Sequence, residues 1–266
     1  MRDIFRAKSE KGIILKSASE IAKMRDAGRV VYAALQAMKS VIIPGKSTTY
    51  DLEKAAIRVL GGAGADSPFL GYSPHDHPPF PAWTCISVNE EVVHGIPGRR
   101  ILLEGDIVSC DVGARLNGYY ADSAWTFPVG NISPVAEKLL RVTEDALYRG
   151  LAHAKVGGRL GDVSHAIERH ARMNGFSIVK EMVGHGVGRS LHEDPQIPNY
   201  GRAGSGELLR EGMTLAIEPM VNEGKKDIVS LGDHWTIVTR DQRLSAHFEH
   251  TVAITKDGPV ILTQGD

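Results

Sequence analysis

Cysteine occurs only twice in 266 residues, at Cys85 and Cys110, which excludes a disulfide framework and any Cys-x-x-Cys metal site. So sparse a set fits a reducing compartment. No apolar run approaches the ~18 residues of a membrane span. An excess of one charge is also missing. Lys and Arg number 31 against 32 Asp and Glu, a net charge of −1, so neither nucleic acid nor a membrane surface is expected as the main partner. The opening stretch "MRDIFRAKSEKG" lacks a signal peptide's apolar core, and residues 1–13 are expected to form a tail. No linker rich in Pro, Gly or Ser divides the rest, so residues 14–266 are expected to form one domain. A fold of that size buries roughly 70–75% of its unfolded surface.

What is present is a plan that occurs twice. Residues 19–41 have helical apolar spacing with Ser19 as the expected N-cap, and a second helix follows from Thr49 to Leu60. A later pair repeats this, from Pro134 to Ala154 and from Asp162 to Met173. After each pair come matching strand signatures. "VHGI" at 93–96 is echoed by "GHGV" at 184–187, and "LLEGDIVSCD" at 102–111 by "LREGMTLAIE" at 209–218. In both copies an acid sits six residues after the glycine, Asp111 after Gly105 and Glu218 after Gly212. Each copy has a second acid on a later strand, Asp122 and Glu249. Helix, helix, antiparallel strands, twice, predicts an α+β fold of two pseudo-symmetric halves, with a central antiparallel sheet and helices on its outer face.

The segment "DVGARLNGYYAD" at 111–122 fixes a register. Asn117-Gly118 is a strong hairpin signal, because a type I′ turn needs positive φ at both central residues. Pairing Leu116 with Tyr119 sets Asp111 opposite Ala124 and Gly113 opposite Asp122. The two aspartates are then diagonal neighbours on one face, roughly 7–8 Å apart at Cα. Buried carboxylates there need a counter-charge. The repeat axis gathers Asp111, Asp122, His185, Glu218 and Glu249, with His94 and His192 nearby. Four carboxylates in one cavity repel by roughly 4 kcal/mol per pair at ~4 Å. Two divalent cations balance four such charges, and one imidazole completes a hard-to-borderline ligand set suited to manganese, iron, cobalt or zinc. A pair of such ions assists hydrolysis.

Five motifs in order, "NEEVVHGIPG" (89–98), "DVGARLNGYYAD" (111–122), "GHGVGRSLHEDPQIPNY" (184–200), "TLAIEPMV" (214–221) and "SAHFEHTVAIT" (245–255), resemble the type I methionine aminopeptidases, metallopeptidases of the pita-bread fold and family M24. The resemblance runs from about Ile14 to Leu262. It implies that Asp111 chelates one ion, that Asp122 and Glu249 bridge two, and that His185 and Glu218 complete the second site. Glu218 or a bridging carboxylate would act as general base. His94 and His192 would contact the substrate rather than the metals. The family's methionine pocket falls on Tyr72, Phe80, Cys85, Leu191 and Trp235, and rings beside a sulfur suit a thioether. The family releases methionine when the second residue is small. It further implies a cytoplasmic monomer acting on methionyl peptides and nascent chains near the ribosome.

Several positions depart from the family pattern. The loop "SPHDHPP" at 73–79 resembles an insertion at the pocket rim. Leu191 stands where an aromatic is common, His247 where glutamine is common and Ala216 where a hydroxyl is common. His75 and His77 suggest a His-x-His metal site, but a proline-rich loop favours solvated side chains. Cys85 is expected to line the pocket, with a reactive thiol as the other reading, and Cys110 to lie in the core.

Two rivals share the fold. An Xaa-Pro aminopeptidase or dipeptidase matches all five ligands but normally carries a sizeable extra N-terminal domain. A non-catalytic pita-bread binding protein usually loses ligands, and this chain keeps all five. A type II methionine aminopeptidase needs a helical insertion for which there is no room between His192 and Glu218.

Overall fold

The computed structural model describes residues 12–74 and 77–265. The expected tail up to residue 11, and His75 of the His-x-His pair, lie outside the described residues.

The first half is built from helices α1 (Ala18–Ser40) and α2 (Thr49–Gly62) and strands β1 (Thr84–Val88), β2 (Glu91–Val93), β3 (Ile107–Leu116) and β4 (Tyr119–Pro128). The second half has α3 (Pro134–Leu151) and α4 (Leu160–Met173), then β5 (Ser177–Ile178), β6 (Gly184–Gly186) and β7 (Glu193–Ile197). Strands β8 (Thr214–Ile217), β9 (Met220–Asn222), β10 (Ile228–Ser230) and β11 (Ile237–Thr239) follow. The last are β12 (Ser245–His247), β13 (His250–Thr255) and β14 (Gly258–Ile261). Among the described residues no helix is long and apolar enough to cross a membrane.

The helices have the caps their sequences dictate. The N-cap of α1 is Ser17, two residues before the expected Ser19. Ser17 has Glu20 three residues on, which accepts the Ser17 N–H at 2.9 Å and completes a capping box. Ser19 has Ala22 at that position and no such partner. Thr48 and Asp51 form the same device at α2. Each half then has its own core. Val31, Leu35 and Met38 of α1 and Leu52 of α2 pack on Val108 and Val112 of β3. Leu139 and Leu147 of α3 and Ile167 of α4 pack on Leu215 and Ile217 of β8.

Every strand pairing is antiparallel, in ladders ordered β1-β3-β4, β10-β11-β2, β12-β9-β5 and β14-β13-β8-β6-β7. The β3–β4 hairpin has the predicted register, Leu116 with Tyr119, Gly113 with Asp122 and Asp111 with Ala124. Asn117 and Gly118 both have positive φ, 51° and 78°. The duplication is visible in the backbone as well. The turns ahead of β3 and β8 each pass through a left-handed glycine, Gly105 at 95° and Gly212 at 86°.

The halves are joined where β4 runs beside residues 247–251. The Glu249 N–H donates to the Ala124 carbonyl at 2.8 Å. Thr126 Oγ1 donates to the His247 carbonyl at 2.8 Å and accepts the His247 N–H at 2.9 Å. This seam holds the acids of one half against those of the other.

Candidate metal centre

His185 sits between two glycines for a steric reason. A Cβ at Gly184 would come within 2.4 Å of the Ala216 carbonyl oxygen, and one at Gly186 within 2.2 Å of the Asp194 carbonyl oxygen. Without side chains there, β6 lies close between β7 and β8 and turns the imidazole inward. His185 Nδ1 is 2.8 Å from the Gly186 carbonyl, so Nδ1–H donates and Nε2 faces the acids. Nε2 lies 3.4 Å from Asp122 Oδ2 and 3.7 Å from Glu218 Oε1. One ligand atom each from Asp122, His185 and Glu249 falls within 4.8 Å of the others.

Electrostatics show why this cluster fits cations. Burial, then the Asp122 and Glu218 carboxylates, push Asp111 well above the ordinary carboxylate range. Glu249 is pushed up in the same way, by burial and then by Asp122, Glu218 and Asp111. Burial opposes charge on His185. The Asp122 carboxylate, with Glu218 and the Gly186 carbonyl, outweighs it and raises the imidazole to about 9. A buried set of oxygen donors and one imidazole, short of positive charge and without a thiolate, is the ligand chemistry of a hard or borderline divalent metal.

All twelve residues singled out from the sequence line a single cavity: Tyr72, Phe80, Cys85, His94, Asp111, Asp122, His185, Leu191, His192, Glu218, Trp235 and Glu249. The aromatic end is tightly built. Phe80 meets Trp235 edge-on at 5.2 Å, and Tyr72 lies 6.5 Å from the same ring. Tyr72 Oη is 2.9 Å from His192 Nδ1. His192 in turn meets His185 edge-on at 4.4 Å. Burial first, then the neighbouring histidines, hold His94 down to about 4 and His192 well below its ordinary value, so both rings are neutral at pH 7. Cys85 is buried, and its thiol is pushed well up by burial and then by Asp111, Glu249 and Glu53, which opposes thiolate formation there.

Among the described residues of the loop 73–79, Ser73, Pro78 and Pro79 are exposed, as expected, whereas His77 is half-buried. The His77 ring packs on Trp235 at 5.5 Å, and Trp235 Nε1 donates to the Pro78 carbonyl at 3.0 Å. Pro74, at the start of the loop, lines the cavity, at the pocket rim. Ala216, expected to bear on pocket shape, lies behind the cavity in β8, paired with His185 and Thr251. His247 does line the cavity, with Nε2 at 3.6 Å from Glu218 Oε2. Sequence reasoning missed Thr251. Its hydroxyl donates to Asp122 Oδ1 at 2.8 Å and accepts the Asp122 N–H at 3.0 Å, so it orients that carboxylate from the other half. It lies two residues after Glu249 and approaches the same aspartate, but no motif marks it.

The model of metallopeptidase family M24 matches residues 22–256. The chain belongs to that family. Methionine aminopeptidase 1 of Bacillus subtilis is 53% identical over 252 residues, covering 95% of this chain and 99% of that protein. The crystal structure of methionine aminopeptidase from Thermotoga maritima superposes with a TM-score of 0.91 at 48% identity, over 95% of this chain and 100% of that one. A prolidase from Pyrococcus furiosus shares the fold, with a TM-score of 0.74 at 23% identity, over 95% of this chain and 66% of that one. The architecture is therefore the pita-bread fold common to both M24 groups, and in sequence the chain stands with the methionine aminopeptidases.

Proposed function

We propose that this M24 metallopeptidase removes the N-terminal methionine from peptides and nascent chains whose second residue is small. The observation that carries the reading is the meeting, in one cavity, of a cation-poor acid and imidazole cluster with an apolar cluster of Phe80, Trp235, Tyr72 and Cys85. Asp111 would hold one divalent ion, Asp122 and Glu249 two, and His185 and Glu218 the second. When bound, such ions supply Lewis acidity, polarising the scissile carbonyl and bringing water's proton within reach of a carboxylate base.

The chain's own groups account for the rest. Tyr72, Phe80, Cys85, Leu191 and Trp235 receive the methionine side chain, since a thioether packs well on ring edges. The surrounding carboxylates attract the peptide's terminal ammonium, which restricts release to the first residue. Glu218 accepts the proton from the attacking water and passes it to the leaving amine. His94 and His192, neutral at pH 7, donate N–H groups to the peptide oxygen as charge develops on it. Residues 14–266 act as one catalytic unit, because ligands come from both halves. Nascent chains are the main source of such termini in a cell, so the reading extends to a cytoplasmic monomer working near the ribosome.

The test is release of free methionine from Met-Ala-Ser by chelator-stripped protein, before and after Mn²⁺ or Co²⁺, with Ala-Pro-Ala alongside. Metal-dependent release from the first peptide alone is expected. Cleavage of the proline peptide instead would move the chain to Xaa-Pro chemistry, and cleavage of neither with metal bound would favour a binding role.

A further inference from the structure

We propose that Lys16, outside the active-site cavity, is a positioning residue for His192, acting through a buried ion pair with Glu193. The inference rests on the reading above that His192 faces the substrate. Lys16 and Glu193 are joined by a charge-assisted hydrogen bond, and their side chains are only 2% and 7% exposed. The two residues are 177 apart in sequence. Lys16 is itself fixed twice more, its N–H donating to the Gly212 carbonyl at 2.7 Å and its ammonium to the Ile14 carbonyl at 3.0 Å.

Space for this lysine is built into the fold. A Cβ at Gly188 would lie 2.3 Å from Lys16 Cε, and one at Gly212 would lie 2.8 Å from the Lys16 carbonyl oxygen. Glu193 also closes the turn that carries Leu191 and His192 into the cavity. Its Oε1 accepts the N–H groups of Arg189 at 2.8 Å and Ser190 at 3.2 Å, while Oε2 takes the lysine. The same turn is gripped at Arg189, whose guanidinium donates to Glu20 Oε1 at 2.9 Å. The chain entering α1 therefore holds, from outside, the turn whose inner side presents His192. A buried ion pair returns little net stability after desolvation, whereas losing one partner leaves an uncompensated charge that must move. Here Glu193 cannot leave without opening the turn beside His192.

The test compares zinc-loaded wild-type protein with Lys16→Met, Glu193→Gln and the double variant. The readouts are histidine-ring NMR spectra, bound metal, and kcat and KM on Met-Ala-Ser. Each single variant is expected to displace the His192 ring resonances while those of His250, in the core, hold. kcat should fall at least ~10-fold, with KM within ~3-fold and metal content unchanged. The double variant is neutral on both sides and keeps an acceptor for the two turn N–H groups, so it should regain most of both. Unmoved His192 resonances would overturn the proposal. So would His250 moving equally, or turnover within twofold of wild type despite a displaced ring. If one single variant fails to fold, the other decides. Should the wild type release no methionine, the functional reading fails while the His192 resonances still decide the positioning role.

Discussion

Asp122 and His185 belong to different halves of the chain, on β4 and β6, yet Oδ2 of one lies 3.4 Å from Nε2 of the other. The cluster exists only because the two halves are closed on each other. Thr251, on β13, reaches across the same seam to orient Asp122.

Thr251→Val should therefore weaken metal binding without abolishing the fold. Partners that orient a ligand typically carry ~10–100-fold in affinity. Calorimetric titration of the variant with Mn²⁺ should show a loss in that range. Unchanged affinity would mean that the seam, and not the threonine, sets the carboxylate.

Metal-free protein should lose stability as pH rises above neutrality. Asp111 and Glu249 hold protons more tightly in the folded chain than in the unfolded one, through burial and their acidic neighbours. His185 does so as well, at about 9, because its carboxylate partners outweigh its burial. Groups with raised folded values stabilise fully below their unfolded values, and that contribution disappears as pH climbs through the folded ones. Buried His94, His192 and His250, with lowered folded values, act the other way, but only below about pH 7, where unfolded histidine is charged. Between about pH 7 and about 9 for His185, the apo melting temperature should fall. Bound Mn²⁺ should flatten the slope. An apo protein that melts higher at pH 8.5 than at about 7 would contradict this.

Glu20 gives the opposite sign. Its carboxylate caps Ser17 and receives Arg189 and Tyr119, which together lower it to about 2. Its contribution is present above the ordinary carboxylate range and lost as pH falls toward 2. Glu20→Ala should cost about 1 kcal/mol at pH 7, the usual scale of a lost cap. The difference from wild type in denaturant melts should shrink steadily in acid, and a constant difference would rule out the charge as its origin.

Much of this molecule was legible in local pattern. Asn117-Gly118 fixed the β3–β4 register, and through it the face shared by Asp111 and Asp122, because a two-residue turn leaves no freedom to slip. The repeated glycine-plus-six acids marked both halves, since the same left-handed turn precedes β3 and β8. Contacts between distant segments were not legible. Thr251 with Asp122, Lys16 with Glu193 and His77 on Trp235 are made only after the halves close, and no period in the sequence announces them. Ser17 and not Ser19 caps α1 because only Ser17 has an acid, Glu20, three residues on.

Both thiols should be silent in the native protein. Burial, reinforced by nearby carboxylates, pushes Cys85 and Cys110 well above the range in which thiolate forms at neutral pH. Iodoacetamide at about pH 8 should label them at least ~100-fold more slowly than after unfolding. Rapid native labelling at Cys85 would mean that the pocket opens far more than its packing implies.

The central claim is that five residues from two halves hold the catalytic metal, and Asp122→Asn tests it most directly. The substitution keeps the side chain's size and removes its charge. Metal analysis beside Met-Ala-Ser turnover should show reduced metal content and at least ~100-fold lower activity, since a ligand should matter no less than the partners that orient it. Full turnover with undiminished metal in Asp122→Asn would contradict the account.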